Sequence, residues 1–147
     1  MYPGILIAAA RRRIKQAVLA HVADRRLTPQ QFWMIVAVHE SPGISPTEIA
    51  DRIRSDAPTV SRALAPLVER GVVKAESDPE DRRRTKVSLS PTGRKLAAEL
   101  APIAREVREA VVDGMTAQEI GALTSLLNRI VENLDRLERR RTPGVRP

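Results

Sequence analysis

The ten residues from Ser77 to Lys86, within the stretch SDPEDRRRTKVSLS, carry three acids followed by four bases. Guanidinium groups gathered on a loop bind phosphates or base edges, through charge and forked hydrogen bonds. Other chemistries find little material. There is no cysteine, which excludes a thiolate nucleophile, a disulfide and a thiol redox sensor. Two histidines, His21 and His39, stand 18 residues apart and make a poor metal set. No glycine-rich phosphate loop is present, and neither histidine has a readable triad or metal motif around it. No enzyme activity, cofactor or metal is therefore expected.

The bulk charge agrees with the loop. Lys and Arg number 25 against 18 Asp and Glu, a formal charge of +7 that favours polyanionic partners, nucleic acid first and an anionic membrane surface second. A length of 147 residues with 42% hydrophobic content suits one domain with its own core. Apolar residues run from Ile5 to Ala10, but Arg11, Arg12 and Arg13 follow them, the reverse of a signal peptide. No uninterrupted apolar run is long enough to span a membrane. A cytoplasmic protein is expected.

The elements that must position the basic loop are marked by their caps. Thr28-Pro29-Gln30-Gln31, Ser45-Pro46-Thr47-Glu48 and Thr116-Ala117-Gln118-Glu119 each read as a capping box, two with proline at the first helical position. Ser90-Pro91 starts another helix without the acidic partner, and Ser55 or Asp56 could cap one more. With the apolar spacing, these predict helices over 5–23, 29–40, 46–53, 57–70, 91–113 and 117–139. Val72–Ser77 and Lys86–Leu89 read as short strands, with Asp78-Pro79 marking a turn between them. The basic loop becomes the tip and return strand of a β-hairpin.

Residues 46–53 and 57–70 are two short helices separated by Arg54-Ser55-Asp56, with apolar faces Ile49, Ala50, Ile53 and Val60, Leu64, Leu67, Val68. This is a helix-turn-helix pattern. Packing of the second helix by its apolar face leaves Ala57, Pro58, Thr59, Ser61 and Arg62 on its exposed N-terminal part, with Ser55 just ahead. Small and hydroxylated residues admit close approach to base edges, and Arg62 can reach a guanine or a phosphate. Taken alone, the two helices could equally be part of a bundle with a solvated face. The hairpin after Gly71 favours DNA, because a two-stranded wing can place arginine in a neighbouring minor groove.

The run from Leu27 to Gly93 resembles the winged-helix core of the MarR family of bacterial transcriptional regulators. The resemblance is carried by Ser45-Pro-Thr-Glu-Ile-Ala, Ala57-Pro-Thr-Val-Ser-Arg-Ala-Leu, Gly71-Val-Val, and Asp78-Pro-Glu-Asp-Arg-Arg followed by Val87-Ser-Leu-Ser-Pro-Thr-Gly. It implies that Arg83 enters the minor groove and that Asp81 holds the wing, the two sharing a side of an extended strand. Arg82, Arg84 and Lys86 complete the basic wing, with Thr47, Arg54 and Lys74 as contacts to the DNA backbone. Pro58 departs from the pattern by removing an N–H that could bind phosphate. Peroxide sensing through a thiol, found elsewhere in the family, is excluded here.

The fold class that follows is mainly α with a small β-hairpin wing. Residues 28–90 form the DNA-binding lobe, 1–26 and 91–140 supply dimerisation helices, and 141–147 form a flexible tail. Ile120, Leu123, Leu127, Ile130, Leu134 and Leu137 make a stripe along the last helix, and Leu96, Leu100, Ile103, Val107 and Val111 another before it. The first helix, with Ile5, Ile14, Val18 and Val22, could cover such a stripe within one chain. A two-fold dimer is the better reading, since one winged helix spans only a half-site, and the resemblance implies the same.

Phe32-Trp33-Met34-Ile35-Val36-Ala37-Val38 is apolar on every side of a helix and should be buried all round. Neighbouring positions point about 100° apart, so Phe32 and Trp33 cannot fill one core region. Plain packing accounts for each. The resemblance implies a cleft for aromatic acids beside this helix, with Trp33 its best residue, Phe32 beside it, and Arg13 or His21 as polar partners. The function expected is a homodimeric, sequence-specific regulator of double-stranded DNA, a repressor on a palindromic operator, released by a small aromatic or phenolic effector. The competing reading is an architectural or protein-docking winged helix with no sensor.

Overall fold

The structure, a computed structural model, describes residues 1–141. Its elements are α1 (Pro3–Val22), a 3-10 turn (Ala23–Arg25), α2 (Pro29–Glu40), α3 (Pro46–Ile53), α4 (Ala57–Glu69), β1 (Val73–Ser77), β2 (Thr85–Leu89), α5 (Pro91–Val112) and α6 (Ala117–Arg141). The fold is mainly helical with one antiparallel hairpin, as expected. α6 carries on through Arg141, the first residue of the expected tail, and the rest of that expectation, residues 142–147, lies outside the described residues. The chain divides into two compact units, Met1–Val111 and Val112 onward, which groups nearly all of α5 with the first unit.

Side chains at the helix starts do what their types dictate. Thr28 accepts from the Gln31 N–H at 3.1 Å while Gln31 returns a bond to the Thr28 N–H at 3.0 Å. Ser45 and Glu48 repeat the box at 3.2 and 3.1 Å, and Thr116 and Glu119 at 3.3 and 2.8 Å. Each closes two N–H groups that a helix end would otherwise leave open. Proline inside α4 at Pro66 and inside α5 at Pro102 leaves both helices continuous, each at the loss of one backbone donor.

α2 is the beam of the first unit. Phe32, Met34, Ile35, Val36, Ala37 and Val38 are all buried, packed with Val18 and Val22 of α1, Ile49 of α3, Leu64 and Leu67 of α4, and Leu100 and Val107 of α5. Val68, read from the sequence as part of α4's inner face, points outward instead, because Val60, Leu64 and Leu67 already fill the contact. The hairpin pairs Val73 with Leu89 through Ser77 with Thr85. A third piece, unread in the sequence, joins it: Gly43 N–H donates to the Val87 carbonyl at 3.0 Å, and Val87 N–H to the Ile44 carbonyl at 2.9 Å.

One residue links the hairpin to α5. Ser90 Oγ donates to the Gly71 and Val72 carbonyls and accepts the Gly93 N–H at 2.9 Å, which caps α5. Gly93 lies so close to β1 that a Cβ there would fall 1.9 Å from the Val72 carbonyl oxygen.

Candidate nucleic-acid interface

Asp56, not Ser55, caps α4. Its carboxylate accepts the Thr59 N–H at 2.9 Å and the Thr59 hydroxyl at 2.8 Å, and Arg62 Nη2 donates to Thr59 Oγ1 at 3.2 Å. The backbone bond from Thr59, then its hydroxyl, holds the Asp56 carboxyl below the usual aspartate range. Asp56, Thr59 and Arg62 thus form a chain along the first turn. Pro58, Ser61 and Arg62 are exposed, while Ala57 and Thr59 are half-buried. Ser55 is half-buried too, its hydroxyl accepting from Gln30 Nε2 at 3.3 Å. Thr47, on the first turn of α3, and Lys74, on β1, are both exposed. Exposed Arg54 takes a left-handed backbone, φ 53°, in the turn between α3 and α4.

The wing tip is a tight turn and not the extended strand the sequence suggested for Asp81 and Arg83. Asp81 Oδ1 accepts the backbone N–H of Arg83 at 3.0 Å, and the Asp81 carbonyl accepts the Arg84 N–H at 2.9 Å. Asp78 sits beneath the turn, 6% exposed, accepting the Glu80 N–H at 2.9 Å and facing Lys86 Nζ at 3.2 Å. That backbone bond, followed by Lys86, lowers the Asp78 pKa. Two of the four bases are paired with acids: Lys86 with Asp78, and Arg84 Nη2 with Glu48 Oε1 at 2.7 Å. Arg82 and Arg83 are exposed, and their guanidinium groups have no partner among the described residues.

Trp33 is half-buried and packs edge-on against Phe32, ring centroids 4.9 Å apart at 82°. Phe32 lies fully buried in the core and not beside an open space. Arg13 and His21 are also elsewhere: on the α1 helix they line an apolar cavity of about 370 Å³ facing Val107 of α5, away from Trp33. Trp33 instead borders two other spaces. One, of about 310 Å³, is shared with Ala37, Arg52, Ile53 and Arg108. The other is an open cleft of about 760 Å³ where Arg11 and Lys15 of α1 face Gln30, Ser55 and Thr59. Arg11 and Lys15 are one helical turn apart without an acid between them, a signal that the sequence does carry. Arg108 could be found only from tertiary placement.

In α6, Leu123, Leu127 and Leu134 are exposed, Ile120 and Ile130 are half-exposed, and no residue of the helix is buried. Ile5 of α1 is 61% exposed. Among the described residues no His, Cys, Asp and Glu group could hold a metal ion, and no helix is long and apolar enough to cross a membrane.

Known proteins share this arrangement. The MarR family profile matches residues 27–84, which run from α2 through the helix-turn-helix and β1 to the loop before β2. Transcriptional regulator HosA of Escherichia coli O111:H- is 30% identical over 105 residues, 71% of this chain and 78% of that protein. The structure of Bordetella bronchiseptica BpsR, whose DNA binding is regulated by 6-hydroxynicotinic acid, matches with TM-score 0.71 and 27% identity over 87% of this chain and 91% of that one. A mutant MarR from Escherichia coli, complexed with operator DNA, has the same fold, with TM-score 0.69 and 22% identity over 86% and 91% of the two chains. A winged helix with a capped α4 and a basic wing, in a chain this similar to HosA, belongs to the MarR family of DNA-binding transcriptional regulators.

Proposed function

We propose that the protein is a cytoplasmic homodimer that reads a palindromic operator and represses transcription from it. The carrying observation is the pairing of an exposed Pro58, Ser61 and Arg62 face on α4 with a wing whose Arg82 and Arg83 have no internal partner among the described residues. In this reading α4 meets base edges in the major groove and Arg83 enters the flanking minor groove. Thr47, Arg54 and Lys74 touch phosphates, and residues 28–90 act as the reading lobe. The exposed leucines of α6, with Ile5, form the contact between two copies, so that residues 1–26 and 91–140 carry the dimer.

The effector is a small aromatic anion held in the cleft beside Trp33. Its ring would lie on the indole and its charge beside Arg11 and Lys15, next to Ser55 and Thr59 of the reading element. A ligand that prefers the incompetent state by about 1.4 kcal/mol weakens DNA binding tenfold.

Binding to duplex DNA from around its own gene and to a scrambled control, across a salt series, tests this function. A preference of about a thousandfold for one palindromic site is expected. Equal and steeply salt-dependent binding to both duplexes would leave only charge attraction and support an architectural protein instead.

A further inference from the structure

Arg84 looks in the sequence like one more base for DNA, but its surroundings assign it other work. Its backbone closes the wing loop at both ends: the N–H donates to the Asp81 carbonyl at 2.9 Å, and the carbonyl accepts the Asp78 N–H at 2.8 Å. Its side chain reaches across to α3 and donates from Nη2 to Glu48 Oε1 at 2.7 Å. Glu48 is itself fixed, because its other oxygen, Oε2, accepts the Ser45 N–H in the capping box. The first turn of α3 and the last residue of the wing loop are thus joined through one carboxylate. Arg83, the immediate neighbour, has its N–H held by Asp81 and its guanidinium without a partner among the described residues.

We propose that Arg84 is a positioning residue and not a DNA contact: through Glu48 it fixes the wing loop against α3 and so sets the direction in which Arg83 leaves the protein. The proposal rests on the reading that Arg83 contacts DNA. A charge-assisted pair between two half-exposed side chains adds little to global stability, yet it restricts a short loop to one orientation. Arg82 lies outside this arrangement and stays available to phosphate.

The test is a double-mutant comparison on the duplex recovered by selection from a randomised library, with affinity read across a salt series. Arg83→Ala alone should weaken binding about tenfold. Arg84→Ala and Glu48→Gln should each weaken it roughly three- to tenfold in the native background, and neither should weaken it further, nor lower the salt slope, once Arg83 is alanine. Glu48→Gln keeps a capping-box acceptor, so α3 is preserved even if Arg84→Ala folds poorly. The sign for Glu48 is diagnostic, since removing an acid near a polyanion tightens binding when charge alone acts. Tighter binding by Glu48→Gln, or an additive loss by Arg84→Ala with a salt slope lower by about one, would overturn the proposal in favour of a direct phosphate contact. No loss with Arg83→Ala would instead overturn the wing reading, and the proposal with it.

Discussion

The guanidinium carbon of Arg108 lies 5.5 Å from the centre of the Trp33 ring, and the same guanidinium donates from Nη1 to Glu40 Oε1 at 2.6 Å. Glu40 also faces Arg52 Nη1 at 3.7 Å, and Arg52 donates to Ser41 Oγ at 3.0 Å. A carboxylate at the end of α2 therefore holds one cation on α5 and one on α3. The bond from Arg108 keeps the Glu40 carboxyl ionised below its usual range. Since Trp33 is the only tryptophan, its emission reports this arrangement directly. Arg108→Ala and Glu40→Gln are both expected to shift that emission while changing stability by only about 1 kcal/mol or less. An unchanged spectrum in Arg108→Ala would show that the cation does not rest on the ring in solution.

Acid should loosen the fold, the cap of α4 included, while a change of pH near neutrality should leave it alone. Asp56, Asp78, Glu40 and Glu119 all have native pKa values below their ordinary ones. Carboxyls of this kind stabilise the fold fully above their unfolded pKa, and the contribution disappears as pH falls toward the native value. Urea unfolding midpoints should be level from neutrality to about pH 5 and decline below about pH 4. Asp56→Asn, whose amide oxygen still accepts the Thr59 N–H, should decline less steeply than the native chain. A midpoint that drops between neutrality and pH 5 would point to a different titrating group.

Gly93 is where α5 passes β1, and alanine there must move one of them away from the Val72 carbonyl. Gly93→Ala is expected to lose about 1–3 kcal/mol, the usual range for overpacking, read from denaturant unfolding. Retention of native stability would mean that the two elements separate at little cost.

α6 is 25 residues long, and none of them is buried. An amphipathic helix takes most of its stability from packing its apolar face, so this leucine stripe needs a second surface. Sedimentation should show self-association, and Leu134→Glu, which places a charge on the stripe at a residue 57% exposed, should shift it toward monomer with loss of helical signal on dilution. Self-association equal to that of the native chain would move the contact off this face.

What the sequence makes legible is local. Thr28 with Gln31 and Ser45 with Glu48 announce their helices because a capping box needs only four consecutive residues. α4 and the hairpin follow from periods and turns of similar range. Elements that depend on distant partners are not legible. Arg108 and Glu40 are 68 residues apart, and Arg84 and Glu48 are 36 apart, so nothing in either neighbourhood marks the pair. Ile44 joins the sheet through a single residue, too short for any alternation. Trp33 and Phe32 do part, yet the polar neighbours of Trp33 on α1 are Arg11 and Lys15 and not Arg13 and His21. Residues two apart on a helix point in widely different directions, and sequence alone does not say which faces inward.

Ser90 makes wing and stem one lever. Only this residue separates β2 from α5, and its hydroxyl ties both to the start of β1. No slack segment is left to absorb a tilt. α5 spans 22 residues, about 33 Å at the usual rise, so a pivot of about 5° at its wing end sweeps its far end through about 3 Å. The gearing also runs in reverse: a large swing at the far end arrives at the hairpin as a small, well-defined rotation.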